Sequence, residues 1–426
     1  MNVTGELDSA ALDRLSMALA LADRDERPGL ARELRHQAEA FGARPASIRS
    51  VYRAMAEGRI TALTVPAMNV RGLTYRIARV AWRTALRRRA APLLFELAPS
   101  EVETGDQSFA EYAAMVLAAA AREGYRGPVY LQGDHIEVSD ASPEATARAR
   151  AWCGEAADAG LKQVDIDAAG LSLPGASAGE RQGQNARVTA ELAAYVRELV
   201  PDAVVGGEVG EIGGANTSLE DLRAFLDGVR ERTAEAAGGT LTSGVGVDKV
   251  SVQTGTRHGG VVRPDGSVGK MEVDLAQAGL LASVAREEYG LPGVVQHGAS
   301  TLTFEQLSAL PEAGVIEVHL ATGIQNLVMD HAALPEDLVR RMRETLAGPL
   351  RPAESGASED FDGLTPEQVW RKNRWQAWGR FKRELWSLPE DVTQALEEDL
   401  EVWFERLYEA LWVAERAPDI ASLNDA

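Results

Sequence analysis

The chain has 426 residues, of which 45% are hydrophobic and 25% charged, a balance typical of a globular protein with one large domain or two ordinary ones. Its formal net charge of -20 excludes a general binder of nucleic acid or of an anionic membrane, because the phosphate groups of either would be repelled except at a locally basic site. The composition therefore favours a small molecule as the binding partner.

The chain has a single cysteine, Cys153, which excludes an intrachain disulfide and a cysteine-based zinc site. We expect this residue to be buried and apolar in character rather than a reactive thiol. The N-terminal sequence shows no basic region followed by an apolar run, and no segment reaches the ~18 uncharged apolar residues of a membrane span. These features favour a cytoplasmic protein.

Residues 1–58 make up the first segment of the chain, and from residue 8 onward this segment is rich in Ala, Leu, Arg and Glu. Apolar residues recur there every three or four positions, which is the spacing of one face of an amphipathic helix. We therefore predict an N-terminal segment of two or three helices.

Residues 59–348 alternate short apolar runs with Ala-rich helical stretches. Eight of these runs are strand candidates: ITALTVPAMNV, APLLFEL, GPVYLQG, KQVDID, DAVVGGE, VDKVSVQTG, PGVVQHG and GVIEVHL. Apolar strands separated by helices predict a parallel sheet that is covered on both faces. Eight such units over this length predict an α/β fold of the (β/α)8 TIM-barrel type.

A doubly wound open sheet is the alternative architecture for the same region. Its glycine-rich stretch GGEVGEIGG lacks the Lys-Ser/Thr of a P-loop and does not match the spacing of a dinucleotide fingerprint. The barrel is therefore the preferred prediction.

Residues 349–426 are predicted to be an acidic connector followed by a tryptophan-rich helical extension. Three of its tryptophans, Trp375, Trp378 and Trp386, are spaced so that one helix could carry them on a single face. We expect these indoles to pack on the barrel or on a second subunit rather than to stack on a cofactor or a nucleic acid.

Three of the six histidines follow predicted strands: His135 after the third, His258 after the sixth and His297 after the seventh. In a (β/α)8 barrel these strand ends lie on one rim, the face on which active sites of this fold are built. Three converging imidazoles can bind a divalent cation and leave positions open for a substrate. Each histidine alone would be read as an ordinary hydrogen-bonded residue, but together they predict a metal centre.

Acidic residues are predicted on the same rim: Asp134, Asp165, Asp167, Glu208 and Glu211. A carboxylate near a metal can orient a ligating imidazole, bind a second cation or transfer a proton. Asp167 is the candidate for a second-cation ligand. Glu211 could equally be a solvated loop charge.

In this arrangement the sequence resembles the class II, metal-dependent fructose-bisphosphate or ketose-bisphosphate aldolases. Five motifs carry the resemblance in order along the chain: PAMNV in strand one, GDH at 133–135, EVGEIGG from 208, RHGGV at 257–261 and HGAS at 297–300. The resemblance covers about residues 58–345. No single motif is decisive, but the ordered set is specific.

The resemblance implies a lyase of carbohydrate metabolism and glycolysis that cleaves or forms a carbon-carbon bond in a ketose bisphosphate such as fructose 1,6-bisphosphate. It implies that His135, His258 and His297 hold Zn²⁺, or another divalent metal such as Co²⁺ or Mn²⁺, which polarises the ketose carbonyl and stabilises the enediolate. Asp134 would carry the proton at the aldehyde-derived oxygen, and Glu208 stands at the family's glutamate position. A homo-oligomer, either a dimer or a tetramer, is also expected.

The resemblance further implies a substrate and phosphate site formed by Asn69, Gly259, Gly298, Ser300, His319 and Thr322. Backbone amides around the glycines would favour an anion. Arg257 or Arg263 could supply a positive charge to the phosphate.

The end of strand eight departs from the family pattern, because HLAT stands where the family has Asn-hydrophobic-Asp-Thr. His319 takes the asparagine position and Ala321 the aspartate position, whereas Thr322 is kept. Ala98 and Ala299 replace a serine and a glycine elsewhere in the substrate site. These changes predict a preferred ketose that differs from fructose 1,6-bisphosphate, or one whose phosphate is held differently.

Two other functions stay open from the sequence. A non-catalytic or regulatory aldolase-like subunit is favoured by the altered strand-eight residues, but it gives no physical reason to keep a costly cluster of polar groups. The other is a different metal-dependent sugar lyase or epimerase on the same barrel.

Overall fold

The computed structural model of the chain describes residues 9–172, 177–210, 214–238, 244–256, 262–265, 267, 269, 271–347 and 363–423. The described strands are β1 Ala43–Ala46, β2 Val65–Met68, β3 Leu94–Leu97, β4 Gly127–Glu137, β5 Gln163–Asp167, β6 Val204–Val209, β7 Lys249–Val252, β8 Val294–Gln296 and β9 Val315–Leu320. Strands β2 to β9 coincide with the eight strand candidates of the sequence.

The eight strands β2 to β9 form a closed parallel barrel. Each strand pairs with the next one along the chain, and β9 pairs back with β2 through the register Ala67↔His319. A closed sheet has no edge strands, so the open-sheet alternative is wrong and the (β/α)8 prediction is confirmed.

Helices follow every barrel strand and cover the outside of the sheet. The described α-helices are α1 Ser9–Leu21, α2 Arg27–Ala40, α3 Arg49–Ala56, α4 Thr74–Arg88, α5 Pro99–Gly105, α6 Phe109–Arg122, α7 Pro143–Ala159, α8 Ala178–Leu199, α9 Leu219–Ala236, α10 Leu275–Tyr289, α11 Phe304–Ser308, α12 Thr322–Met329, α13 Glu336–Thr345, α14 Pro366–Asn373, α15 Ala377–Arg380, α16 Lys382–Trp386, α17 Glu390–Ala410 and α18 Ala417–Ser422. None of the described helices is both long and apolar enough to cross a membrane.

The apolar runs of the strands are buried from both sides, as the sequence pattern predicts. Every residue of β6 is buried, and a Cβ atom added at Gly207 would lie 2.7 Å from the Phe225 ring of α9. The glycine therefore lets α9 pack directly on the sheet. Cys153 of α7 is also buried, and this burial raises the pKa of its thiol to about 12, as expected for an unreactive residue.

The N-terminal segment contains the predicted helices α1, α2 and α3, and also a strand, β1, that the sequence did not predict. Strand β1 is a short ARPA run, and alanine and proline are poor strand formers. It pairs in parallel with the first residues of β4, which at 11 residues is the longest strand of the barrel. The pairing partner, rather than local propensity, therefore determines this strand.

The C-terminal extension differs from its prediction, because the expected single tryptophan-bearing helix is wrong. The chain there forms a 3-10 turn at Arg374–Gln376 and then the two short helices α15 and α16. A Cβ atom added at Gly379 would lie 2.1 Å from the Thr104 carbonyl oxygen, so this segment packs against the C-terminal end of α5. Tertiary contact thus outweighs the helical spacing of the sequence.

Two indoles of the extension, those of Trp378 and Trp386, pack on the barrel, as expected. The Trp378 ring lies against Gly72, four residues beyond the end of β2, and the Trp386 indole Nε1 donates a hydrogen bond of 3.0 Å to the Gly72 carbonyl. Both side chains are buried. Further along the extension, Arg83 of α4 forms an ion pair of 3.3 Å with Glu397 of α17. The extension is therefore fastened to the rim and to the outer helices.

We predict that Gly72→Ala destabilises the protein more than Gly58→Ala does. Both glycines have positive φ, 82° and 70°, so either alanine carries a backbone strain of about 1–2 kcal/mol. Only Gly72 faces an indole, and a Cβ atom there would lie 2.1 Å from the Trp378 ring, an overlap that adds roughly 1–3 kcal/mol. Urea unfolding of the two variants measures the difference, and equal losses would contradict the packing of α15 on the rim.

Candidate active site

The carboxyl ends of the barrel strands bring three histidines together. His135 lies near the end of β4, His297 follows β8 and His319 lies in β9. The ring centroids of His135 and His297 are 4.4 Å apart, and those of His297 and His319 are 4.0 Å apart. The sequence predicted the first two of these positions as metal ligands and the third as a substrate contact.

His135 is turned toward the rim by an irregularity in its strand. The register of β4 with β5 shifts between Gly133 and Ile136, and His135 has a positive φ of 43°. A bulge of this kind commonly re-aims a functional side chain. The GDH motif thus directs its imidazole into the cluster through a local backbone distortion.

Two carboxylates lie against the His135 ring. Its Nδ1 is 3.1 Å from Asp167 Oδ2 and 3.6 Å from Glu208 Oε2. A hydrogen bond from Nδ1 to Asp167 fixes the ring and leaves Nε2 as the ligand atom, the usual arrangement of a metal-binding histidine. Asp167, predicted as a second-cation ligand, therefore lies where it can orient His135.

His297 lies on the other side of Glu208. Its Nε2 is 3.0 Å from Ser251 Oγ and 4.0 Å from Glu208 Oε2. Each of the residues His135, Glu208 and His297 offers one possible ligand atom, and these three atoms lie within 4.8 Å of one another. This set of two imidazoles and a carboxylate suits a divalent transition metal.

His319 faces the carboxylates of the barrel interior. Its Nδ1 is 2.9 Å from Glu96 Oε2 and 3.1 Å from Asp134 Oδ1, and its Nε2 lies 2.8 Å from Glu317 Oε1. The side chain is only 4% exposed. A second set of ligand atoms within 4.8 Å consists of Asp134, His297 and His319.

A third acidic group in the interior already holds a cation. Asp165, Glu317 and His319 could in principle coordinate a metal, but the Lys249 ammonium lies 2.9 Å from Asp165 Oδ2 and 2.5 Å from Glu317 Oε1. Lys249 also donates a hydrogen bond of 2.8 Å to Gln132. The lysine thus takes the place that a metal would need.

Charges of opposite sign raise and lower the pKa values of the central groups. Burial alone would raise the pKa of Asp134, but His135 and His319 outweigh it and hold that pKa well below its usual range. Burial alone would lower the pKa of His135, but Asp134 and Asp167 raise it well above its usual value. The pKa of His319 rises for the same reason, beside Glu96 and Asp134. The raised pKa values of His135 and His319 reflect the negative charge of the carboxylates around them, and that charge also suits a metal cation.

The other interior carboxylates differ from one another in their pKa values. Burial and the neighbouring Asp134 raise the pKa of Glu96 to about 8, and burial with Asp167 raises that of Glu208 well above its usual range. Burial alone would raise the pKa of Glu317, but Lys249 and the hydrogen bond from His319 lower it to about 2. Glu317 is therefore an acceptor at any pH near neutrality, whereas Glu96 and Glu208 can carry protons.

Of the remaining predicted residues, His258, Gly259, Arg257 and Glu211 lie outside the described residues. Asn69 is buried at the end of β2, and its Nδ2 donates a hydrogen bond of 2.5 Å to Glu101 Oε2. Arg263 is exposed on a loop.

The predicted phosphate-binding residues lie around the loop after β8 and the start of α12. Gly298 has a left-handed conformation with φ of 69°, and Ser300 Oγ accepts a hydrogen bond of 2.9 Å from the Ala321 amide. Thr322 is the first residue of α12. The structure therefore brings Gly298, Ser300 and Thr322 to one part of the rim.

Sequence reasoning missed three charged residues of the interior: Glu96, Lys249 and Glu317. Each is at most 1% exposed. The sequence could have revealed them, because a charged residue inside the apolar runs LLFEL, VDKVSV and VIEVHL is unusual for a strand buried on both faces.

The sequence family described as Fructose-bisphosphate aldolase class-II matches residues 49–366. Among curated protein sequences, none matches the chain at a significant level.

Several solved structures share the fold at low sequence identity. A probable tagatose 6 phosphate kinase from Sinorhizobium meliloti 1021 is 18% identical with a TM-score of 0.57, over 82% of this chain and 100% of the other. The YdjI aldolase from Escherichia coli K12 is 15% identical with a TM-score of 0.51, over 88% and 99%. A fructuronate-tagaturonate epimerase from Cohnella laeviribosi is 13% identical with a TM-score of 0.54, over 91% and 86%. At these identities the likeness concerns the fold.

We predict that Lys249→Met destabilises the protein by about 3–5 kcal/mol, because it leaves the buried carboxylates of Asp165 and Glu317 without their cation. Lys162→Met is the matched control. Its ion pair with Asp202 at 3.0 Å is largely exposed and contributes about 0–1 kcal/mol. Urea unfolding of both variants tests this, and equal small losses would show that Lys249 does not offset the interior charge.

Proposed function

Because the chain belongs to the class-II fructose-bisphosphate aldolase family, we propose that it is a metal-dependent lyase acting on a ketose phosphate. The reaction cleaves or forms a carbon-carbon bond, and the substrate resembles fructose 1,6-bisphosphate. The observation that carries this proposal is the meeting of His135 and His297, two imidazoles that can hold a metal, with Glu208 on the carboxyl rim of the barrel, within 4.8 Å of one another.

The residues present fit a catalytic divalent metal. His135 and His297 would hold it, together with His258, which stays a prediction of the sequence, and the metal would be Zn²⁺ or another divalent ion such as Co²⁺ or Mn²⁺. When bound, such an ion polarises the ketose carbonyl and stabilises negative charge on its oxygen. Asp167 holds the His135 ring, and Ser251 lies 3.0 Å from His297.

Asp134 is the proposed base of the cleavage direction. Its low pKa keeps the carboxylate ionised, so it can accept the proton that the substrate hydroxyl loses as the carbon-carbon bond breaks. In the reverse direction the same group returns the proton. Glu208, whose raised pKa lets it carry a proton beside His135, is assigned the second proton-transfer role.

A phosphate of the substrate would bind at the loop after β8 and the start of α12. Gly298, Ser300 and Thr322 lie there, and backbone amides in such a loop favour an anion without any side-chain charge. Asn69 at the end of β2 would contact the sugar. His319 and Ala321 replace residues of the family pattern, so the preferred ketose need not be fructose 1,6-bisphosphate. A cytoplasmic homo-oligomer completes the proposal.

The test is to measure bound metal and triose phosphate release with fructose 1,6-bisphosphate, tagatose 1,6-bisphosphate and ketose monophosphates. His297→Ala should lose most of the metal and all measurable cleavage, because it removes a ligand. His331→Ala is the matched control, since His331 lies outside the cluster with its Nε2 3.2 Å from Asp399, and it should keep both.

A second variant separates metal binding from proton transfer. Asp134→Asn should keep the metal at His135 and His297 and lose about 10²- to 10⁴-fold in turnover. A metal-loaded protein that releases no triose phosphate from any ketose in the panel would refute the proposed reaction. Full cleavage by His297→Ala after chelator treatment would refute its dependence on this metal.

A further inference from the structure

A line of contacts crosses the barrel interior and ends at Asp134. It begins at Lys249 of β7, passes through Glu317 and His319 of β9, and reaches the carboxylate that we assign to proton transfer. All four side chains are at most 8% exposed. The line lies beside the proposed metal ligands rather than among them.

Glu317 is held from three sides. Lys249 Nζ lies 2.5 Å from its Oε1, Gln132 Nε2 donates to the same oxygen at 3.3 Å, and the Tyr52 hydroxyl of α3 donates to Oε2. Because each of these partners is itself buried, the carboxylate has a fixed place and orientation.

Glu317 in turn fixes the His319 ring. The 2.8 Å hydrogen bond joins His319 Nε2 to Glu317 Oε1, and an ionised carboxylate can only accept, so Nε2 carries the proton. The opposite nitrogen, Nδ1, is thereby directed at Asp134 Oδ1, 3.1 Å away, and at Glu96 Oε2, 2.9 Å away. The ring cannot turn over without breaking the bond to Glu317.

The His319 ring also packs against the neighbouring His297 ring. Its ring lies 4.0 Å from the His297 ring at an angle of 33°, which leaves little room for another rotamer. Asp134 lies within the β4 irregularity. His319 Nδ1, 3.1 Å from Asp134 Oδ1, supplies an ion-pair contact to one oxygen of this carboxylate from outside its own strand.

We propose that Lys249, Glu317 and His319 are positioning residues that hold the Asp134 carboxylate in the orientation needed for proton transfer. This inference rests on the proposed function, because it assigns the catalytic proton to Asp134. The sequence pattern placed His319 against the substrate instead. Its described contacts, to Glu96, Asp134 and Glu317, point to the interior.

The competing interpretation makes His319 a metal ligand. Ligand atoms of Asp134, His297 and His319 lie within 4.8 Å of one another, so geometry alone permits it. The two roles predict different outcomes when Glu317 is changed. Loss of a metal ligand's support lowers metal content, whereas loss of a positioning contact lowers turnover at constant metal content.

The experiment compares Glu317→Ala and Glu317→Gln in the full-length, metal-loaded chain, using the ketose phosphate that the wild-type protein cleaves best. We expect Glu317→Ala to lower kcat about 10- to 100-fold, with KM within about threefold and metal content unchanged. Glu317→Gln keeps the volume and a hydrogen-bond acceptor and should recover part of the lost kcat.

Glu111→Ala is the matched control for stability. Glu111 is 1% exposed and pairs with Lys382 Nζ at 2.8 Å, between α6 and the C-terminal extension, so it is another buried glutamate-lysine pair outside the barrel interior. Its loss should lower the unfolding temperature while kcat stays within about twofold. A comparable fall in kcat in this control would show that the Glu317 effect is only a loss of stability.

The resting protein offers a test that needs neither a variant enzyme assay nor a substrate. In ¹⁵N-histidine spectra, His319, identified by the signal missing in His319→Asn, should show a protonated Nε2. A bare Nε2 would overturn the inference even if Glu317→Ala fails to fold. Reduced metal content in Glu317→Gln, a change in KM alone or an unchanged kcat would each overturn it as well. Absence of cleavage in the wild-type protein would instead refute the proposed function, with the ring protonation still measurable.

Discussion

Buried charge is the physical constraint that shapes the interior of this barrel. Among the described residues, the carboxylates that face its interior and carboxyl rim include Glu96, Asp134, Asp165, Asp167, Glu208 and Glu317. Lys249 offsets two of them, and three imidazoles lie among the rest. Buried charge is costly unless it is paired, so a divalent cation at His135 and His297 would lower the free energy of this arrangement as well as supply its chemistry.

The same constraint divides the interior into two layers, a lower layer around Glu317 and an upper layer around Glu208 at the carboxyl rim. In the lower layer, Tyr52 and Lys249 hold Glu317, and no described contact there needs a metal. In the upper layer, His135 and His297 flank Glu208. The lower layer is therefore a fixed support, and the upper layer is where a metal and substrate would bind.

The C-terminal extension shapes the β2 side of this rim although it lies largely beyond the matched family region. Trp378 Nε1 donates a hydrogen bond of 3.2 Å to Gln325 Oε1, and Arg71 donates to the same oxygen at 2.9 Å. Arg71 also pairs with Glu101, the acceptor of the Asn69 amide. Residues of the extension thus fix the surroundings of Asn69, the proposed contact to the sugar.

Periodicity was sufficient to predict the barrel, because eight apolar runs separated by helices admit few other folds. It could not predict β1 or the broken helices around Trp378, since both depend on partners distant in sequence, the start of β4 and Gly72. The GDH and HGAS motifs located His135 and His297. The direction in which His319 faces depends on Glu317 and Glu96, whose proximity only the closed sheet creates.

Anomalous diffraction at the zinc edge, from crystals of the zinc-loaded chain, can show whether the barrel rim holds a metal. We expect a peak about 2.0–2.1 Å from a ring nitrogen of both His135 and His297, the normal zinc-imidazole distance. Zinc-loaded crystals with no peak at the barrel rim would contradict a metal centre at these two histidines.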